Sequence, residues 1–332
     1  MPISISSVVS GTVAVAALAI SAIAAIQPTT IRAGEAAQLV DDLHSVFGKH
    51  HARAVHAKGI ILEGTFAPTE AARSVSRAAL FARDGVPVTI RFSNFAGIPN
   101  VPDNVNDANP RGFGIKFRTG GDGDMDVVAH SFNGFPTATA GEFGVLLRAI
   151  ASSGPGIASP TPLEQFLKSH PIAKTFFMTQ NPPPVSYATT AYFGVNSVAF
   201  VNAKNERNFV RYRFVPAAGE HYLDETTRKS KGPNYLTEEI AQRIAATPIR
   251  FDWYAQLAGP GDKIEDPSIA WPEARTLVNL GAITVERITS NQTVADKSLL
   301  FLPGTLPNGI EAADPMLAVR NEAYPISFGE RQ

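Results

Sequence analysis

Arg53-Ala54-Val55-His56-Ala57-Lys58-Gly59 runs directly into Ile60-Ile61-Leu62-Glu63-Gly64-Thr65-Phe66. The first seven residues bring together a cation, an imidazole and a flexible glycine. Strand signals extend over 56–66, and the second seven residues read as a buried strand. A lone histidine on an apolar segment is ordinarily structural. It becomes a candidate acid/base group when the rest of the chain builds a site around it, because imidazole titrates near neutral pH.

Strand and turn signals continue downstream. In Val86 to Phe95, Val88, Ile90 and Phe92 alternate with Thr89, Arg91 and Ser93, the period-2 pattern of a half-buried strand. Arg111 to Thr119 and Asp124 to Phe132 are two more strands, joined by Gly120-Gly121-Asp122-Gly123. That turn is not a phosphate loop, since it lacks the lysine and the helix such a loop needs. Gly97 to Pro110 is a long Asn/Asp/Pro-rich loop, and loops of that kind in compact domains are often functional. Strands joined by short turns predict an antiparallel sheet or barrel.

Helices surround these strands. Ala33 to Val46 has Ala36, Leu39, Val40, Leu43 and Phe47 on one face, and Gly48 stops it. His44, His50 and His51 lie in and just after that helix without matched ligand spacing and read as a solvated helix end. Pro68-Thr69-Glu70 starts a short helix through Ser76, with Thr69 as N-cap. Gly141 to Ala151, Pro162 to Ser169, Ile172 to Thr179, Tyr235 to Thr247 and Met316 to Phe328 complete the helical set. Ser186 to Asn202, Asn208 to Pro216, Ile249 to Leu257 and Val278 to Ile288 return to strand. No internal repeat or linker divides the chain. The expectation is an α+β fold: one domain over 29–332, an antiparallel β-barrel with surrounding helices.

Composition narrows the chemistry. The 332 residues are 44% hydrophobic with a net charge of -1 and no dense Lys/Arg run, which argues against nucleic-acid binding. There is no cysteine, which excludes disulfides, Cys-ligated zinc, iron–sulfur clusters and a thiol nucleophile. Gly 26 and Pro 25 suit a turn-rich β fold. Val8 to Ile26 is apolar and uncharged over 19 residues, close to the length of about 20 that spans a bilayer. Residues 1–28 therefore read as a signal peptide or, alternatively, an N-terminal membrane anchor. Small residues at Ala22, Ala24 and Ala25 suit cleavage, and the first positive charge is only at Arg32.

Five blocks, in order, resemble the catalase superfamily. They are Arg53 to Gly59 with Gly64-Thr65-Phe66; Val88-Thr89-Ile90-Arg91-Phe92-Ser93; Pro110-Arg111-Gly112-Phe113-Gly114-Ile115-Lys116-Phe117; Gly123-Asp124-Met125-Asp126-Val127-Val128; and Phe301-Leu302-Pro303 through Ala312, ending in Arg320-Asn321-Glu322-Ala323-Tyr324. The chain is most similar to the short, exported catalase-related haem peroxidases. The resemblance implies a catalase-like barrel lacking the later C-terminal helical region, with haem as cofactor.

It also implies roles. Tyr324 would be the iron ligand, as tyrosinate is in catalase. Its phenol ionises near pH ~10 unless helped, and Arg320, one helical turn earlier, would favour the phenolate. His56 would be the distal acid/base group, moving a proton between the two oxygens of peroxide, with Ser93 fixing its ring. Arg53, Arg91 and Arg331 would bind the haem propionates. Phe135 and Phe143 match distal aromatic positions. His130 departs from the family, standing where a distal asparagine is expected; Asn133 is the alternative source of that amide. The implied function is a haem peroxidase reducing hydrogen peroxide or organic hydroperoxides with a small organic electron donor, catalase activity being secondary. Alternatives are a fatty-acid hydroperoxide-rearranging haem enzyme and a non-catalytic haem-binding barrel. The expected location is periplasmic, or membrane-anchored facing an extracytoplasmic space. A homo-oligomer is left open.

Overall fold

The computed structural model describes residues 34–332. The 1–28 leader or anchor expectation lies outside the described residues. No helix among the described residues is long and apolar enough to cross a membrane.

Among the described residues, nine strands form one antiparallel sheet. They are β1 (Gly59–Pro68), β2 (Val86–Ser93), β3 (Gly112–Phe117), β4 (Met125–His130), β5 (Tyr192–Val201), β6 (Arg207–Pro216), β7 (Ile249–Leu257), β8 (Leu277–Ile288) and β9 (Ile310–Ala312). Their order is β4-β3-β2-β1-β8-β7-β6-β5-β9, and a β4–β5 pairing at His130↔Phe193 closes the first eight into a barrel. β9 is a short addition beside β5. The helices are α1 (Glu35–Phe47), α2 (Glu70–Val75), α3 (Ala140–Ala151), α4 (Pro162–Ser169), α5 (Pro171–Met178), α6 (Glu225–Ser230), α7 (Tyr235–Ala246), α8 (Gln292–Ser298) and α9 (Met316–Gly329). Thr69 caps α2, its hydroxyl accepting from Ala72 N at 3.1 Å.

Strand alternation sends one set of side chains into the barrel. Leu62, Phe66, Ile90, Phe92, Phe113, Ile115, Phe117, Phe214, Phe251 and Trp253 are all fully buried. Trp253 stacks on Phe117 at 4.9 Å and on Phe214 at 5.7 Å, and Phe113 lies 4.8 Å from Phe214. Truncating such an aromatic costs about 3–5 kcal/mol. An interior packed this way is a core, and a large ligand has to bind outside it.

The outward-facing set forms that second location. Register aligns Gly59, Ser93, Gly112 and His130 in one row across β1–β4. Ile61, Arg91, Gly114 and Val128 form the next. α1, α3 and α9 cover part of this face around a second apolar cluster that includes Val40, Leu43, Leu147, Met316 and Val319.

Three local departures have physical reasons. The first strand begins at Gly59 rather than at 56, because His56 adopts a left-handed φ of 59° that no strand accommodates. The strand expected from Ser186 starts at Tyr192, because the Ser186 hydroxyl accepts from Ala188 N at 3.0 Å and caps a tight turn over Tyr187–Thr189. His44 is not solvated: its Nε2 lies 2.6 Å from Glu330 Oε2 and ties α1 to the C-terminal end of α9. His50 and His51 are exposed, and no group of three His, Cys, Asp or Glu among the described residues is placed to hold a metal.

Candidate active site

His56 is held from its backbone outward. A left-handed, β-substituted residue stores about 1–3 kcal/mol of strain, so neighbouring bonds must impose the conformation. His56 N donates to Phe95 O at 2.7 Å and Ala57 N to Ala96 O at 3.0 Å. In the ring, Nδ1 lies 3.0 Å from Asn94 O and 3.1 Å from Ser93 Oγ. A carbonyl only accepts, so Nδ1 carries the hydrogen and Nε2 keeps its lone pair. The Phe95 ring stands edge-on at 5.6 Å. Burial, with His130, Arg91 and Arg320 nearby, pushes the imidazole down to about 3, so it is neutral at physiological pH.

Gly112 makes this arrangement sterically feasible. A Cβ there would stand 2.6 Å from His56 Nδ1 and closer still to Ser93 Oγ. Gly114, two residues on, faces the Phe301 ring with equally little room, at 2.8 Å. β3 thus presents a floor without side chains beneath the imidazole.

His130 ends β4 in the same row. Both of its ring nitrogens are buried without a hydrogen-bond partner. Burial and then Arg320 push it down to about 3. Phe135 and Phe176 lie 6.4 Å and 6.5 Å from its ring, and Phe143 packs on Phe135 at 4.9 Å. Asn133 does not supply an amide here; its Nδ2 donates to Glu273 at 3.3 Å near the surface.

Tyr324 and Arg320 sit one turn apart on α9. Arg320 Nη2 donates to Tyr324 Oη at 2.6 Å, and Nη1 donates to Asn196 Oδ1 at 2.6 Å. Asn196 Nδ2 donates in turn to Asp314 Oδ2 at 2.7 Å, and Met316 N donates to Asp314 Oδ1 at 2.9 Å. Burial pushes the Asp314 carboxyl up to about 6. Asp314 sets which way the Asn196 amide points. The oxygen that holds Arg320 is thus an uncharged amide, and no carboxylate competes with the phenol for the guanidinium.

Arg53, Arg91 and Arg331 form a cationic group. Arg53 Nη1 and Arg91 Nε both reach Asp296 Oδ1, at 2.5 and 2.9 Å, while Arg331 Nη2 donates to Leu299 O at 2.6 Å. Burial opposes ionisation of Asp296, but Arg91 and Arg53 prevail and hold its carboxyl below the usual range. Burial and Arg91 hold the Arg53 guanidinium well below its ordinary range, still with Asp296 as its carboxylate partner.

Apart from Asn133, all of these side chains singled out from sequence line one cavity. Four arginines line it and no carboxylate does, which suits an anionic occupant. Sequence reading missed Asn94, Gly112 as a steric requirement, Asn196, Asp296 and Asp314. The Pro-Arg-Gly-Phe-Gly run was the only signal that pointed towards any of them.

The family model for catalase matches residues 35–331. The chain belongs to the catalase family. It is 31% identical over 300 residues to a catalase-related peroxidase of Synechococcus elongatus, covering 89% of this chain and 88% of the relative. It is 35% identical over 279 residues to a catalase-related peroxidase of Mycolicibacterium paratuberculosis, covering 83% and 87%. A solved fungal catalase matches with a TM-score of 0.74 at 21% identity, over 84% of this chain and 59% of that one. Catalase A from Saccharomyces cerevisiae gives 0.72 at 21%, over 84% and 61%. The chain therefore spans about three fifths of the length of these two solved catalases.

The family implies haem, and the cavity's residues fit it. The guanidinium group suits two propionates, and Tyr324 offers a phenol oxygen with a cation already bonded to it. The unpartnered nitrogens of His130 and the free Nε2 of His56 leave polar atoms for a small substrate.

Proposed function

We propose that this chain is a haem peroxidase that reduces hydrogen peroxide or organic hydroperoxides with a small organic electron donor, with catalase activity secondary. The observation that carries the reading is the pair of neutral, half-buried imidazoles in a cavity with four arginines. Haem, when bound, supplies the iron that exchanges electrons with peroxide. Tyr324 would ligate that iron, Arg320 would stabilise the phenolate, and Arg53, Arg91 and Arg331 would hold the propionates.

His56 Nε2 takes the proton from one peroxide oxygen and returns it to the other, which leaves as water or alcohol. His130 donates a hydrogen bond to the peroxide. It is bulkier than an amide, and the aromatic rings of Phe135 and Phe176 leave little polar surface beside it. Oxidising a second peroxide requires a tightly ordered polar pocket, whereas drawing single electrons from an organic donor does not. This favours peroxidation. The same apolar walls also suit rearrangement of an organic hydroperoxide, and product analysis with lipid hydroperoxides separates the two.

The test is a visible spectrum of haem-loaded protein, recorded anaerobically before and after peroxide. The expected result is a tyrosinate-type spectrum that changes on mixing and returns when an organic donor is added. No change on adding peroxide would overturn the proposal. We also propose export, from the apolar run Val8 to Ile26; cell fractionation that finds the protein only in the cytoplasm would refute it.

A further inference from the structure

The loop from Gly97 to Pro110 delivers Asp103, fully buried, to the back of His56. Lys58 Nζ lies 2.8 Å from Asp103 Oδ1 and Asn94 Nδ2 donates to the same oxygen at 2.7 Å. Leu236 N, on α7, donates to Oδ2 at 3.0 Å. The Arg111 guanidinium, also fully buried, donates to Asn94 Oδ1 and, at 2.6 Å, to Asp103 O. Tyr187 Oη donates to Asn94 Oδ1 at 3.1 Å.

Burying two cations with one carboxylate is a weak source of stability, because desolvation offsets most of the attraction. The network therefore calls for another explanation, and its connections supply one. Asn94 has its amide nitrogen on a carboxylate and its amide oxygen on two donors, so the side chain cannot flip or swing. Its backbone N donates to Lys58 O at 2.9 Å, and its backbone carbonyl accepts from His56 Nδ1. Lys58 and Asn94, which bracket the His56 segment, both bond the same carboxylate oxygen.

We propose that Asp103 and Arg111 are positioning residues: acting through the Asn94 side chain, they hold the Asn94 carbonyl on His56 Nδ1 and keep Nε2 as the basic nitrogen. The catalytic consequence rests on the peroxidase reading; the tautomer itself does not. Asn94→Ala isolates the effect. It keeps the carbonyl, and it keeps the Lys58–Asp103 and Arg111–Asp103 contacts that anchor the loop. What is lost is the side-chain grip on that carbonyl, the bonds of the Asn94 amide to Asp103, Arg111 and Tyr187.

The readout is the His56 tautomer in the 15N-histidine-labelled full chain, loaded with diamagnetic zinc protoporphyrin and again without it. Long-range 1H–15N spectra serve, with His56→Gln for assignment. The wild type is expected to show a single Nδ1–H form and Asn94→Ala a mixture of both forms. In the haem-loaded variant the rate with peroxide falls about tenfold while the tyrosinate spectrum is unchanged. A single Nδ1–H form and a rate within twofold of wild type in Asn94→Ala would overturn the proposal. If that variant fails to fold, Asp103→Asn is read by the same two criteria. A tautomer change in a protein whose wild type never reacts with peroxide would refute the proposed function and leave this inference standing.

Discussion

Gly112→Ala adds one methyl group at the point where β3 passes beneath the imidazole. The new carbon would lie 2.6 Å from His56 Nδ1, where ordinary contact begins at 3.4 Å. β3 cannot withdraw, because Gly112 pairs with Ser93 on one side and His130 on the other. The His56 backbone cannot follow, because its N–H is bonded to Phe95 O at 2.7 Å. The ring itself must therefore swing away by about 1 Å, and a misplacement of that size costs roughly 100-fold in rate. That equals about 2.7 kcal/mol in barrier. Overpacking should also cost about 1–3 kcal/mol of stability.

Stopped-flow mixing of the haem-loaded variant with peroxide measures the rate, and the visible spectrum is the control. Tyr324 and Arg320 lie on α9, away from the added methyl, so the spectrum should match wild type. A folded variant with a normal spectrum and a rate within threefold of wild type would refute the claim that Ser93 and Gly112 set the position of His56.

Four further outcomes are expected. Tyr324→Phe should lose the tyrosinate absorption and bind haem at least tenfold more weakly, measured by haem titration. Asn196→Asp should place a carboxylate on Arg320 and draw charge from the Tyr324 phenol, shifting the visible spectrum towards that of a weaker ligand; an unchanged spectrum counts against the Asp314–Asn196–Arg320 chain. His130→Asn should raise oxygen release from hydrogen peroxide relative to donor oxidation, read by an oxygen electrode beside a peroxidase assay. The same variant tests acid stability. His130 is pushed down to about 3 in the folded state, so below the ordinary histidine value the unfolded chain takes up a proton that the native one refuses. Its contribution is fully present above about pH 6.5 and is lost as pH falls towards 3, at up to about 1.4 kcal/mol per pH unit. Urea midpoints at pH 7, 5 and 4 should fall less steeply in His130→Asn than in wild type.

The barrel was legible because strand alternation is a strong local signal: Val88, Ile90 and Phe92 turn inwards, and Arg91 and Ser93 face the cavity. His56, Ser93, His130, Arg320 and Tyr324 stood out because motif order and side-chain chemistry mark them. Other contributors gave no such sign. Asn94 acts on the histidine through a backbone carbonyl, which residue type does not reveal. Asp296 lies on α8, a short polar helix with no periodicity to detect, and serves two arginines more than 200 positions away in sequence. Asn196 sits where the β5–β6 register shifts, and its amide matters only because Asp314 and Arg320 flank it. His44 looked like an exposed helix end because its partner, Glu330, is almost the whole chain away.

The solid aromatic packing of the barrel has a consequence for how the molecule comes apart. The protein contains two interiors of different kinds. One is completed by the chain's own side chains. The other, between the outer face of β1–β4 and helices α1, α3 and α9, surrounds a cavity that the family's haem would fill. Loss of the ligand should therefore loosen the helical shell while the barrel stays intact. Amide hydrogen exchange would show a protein melting in two layers, with the cofactor acting as the core residue of the outer one.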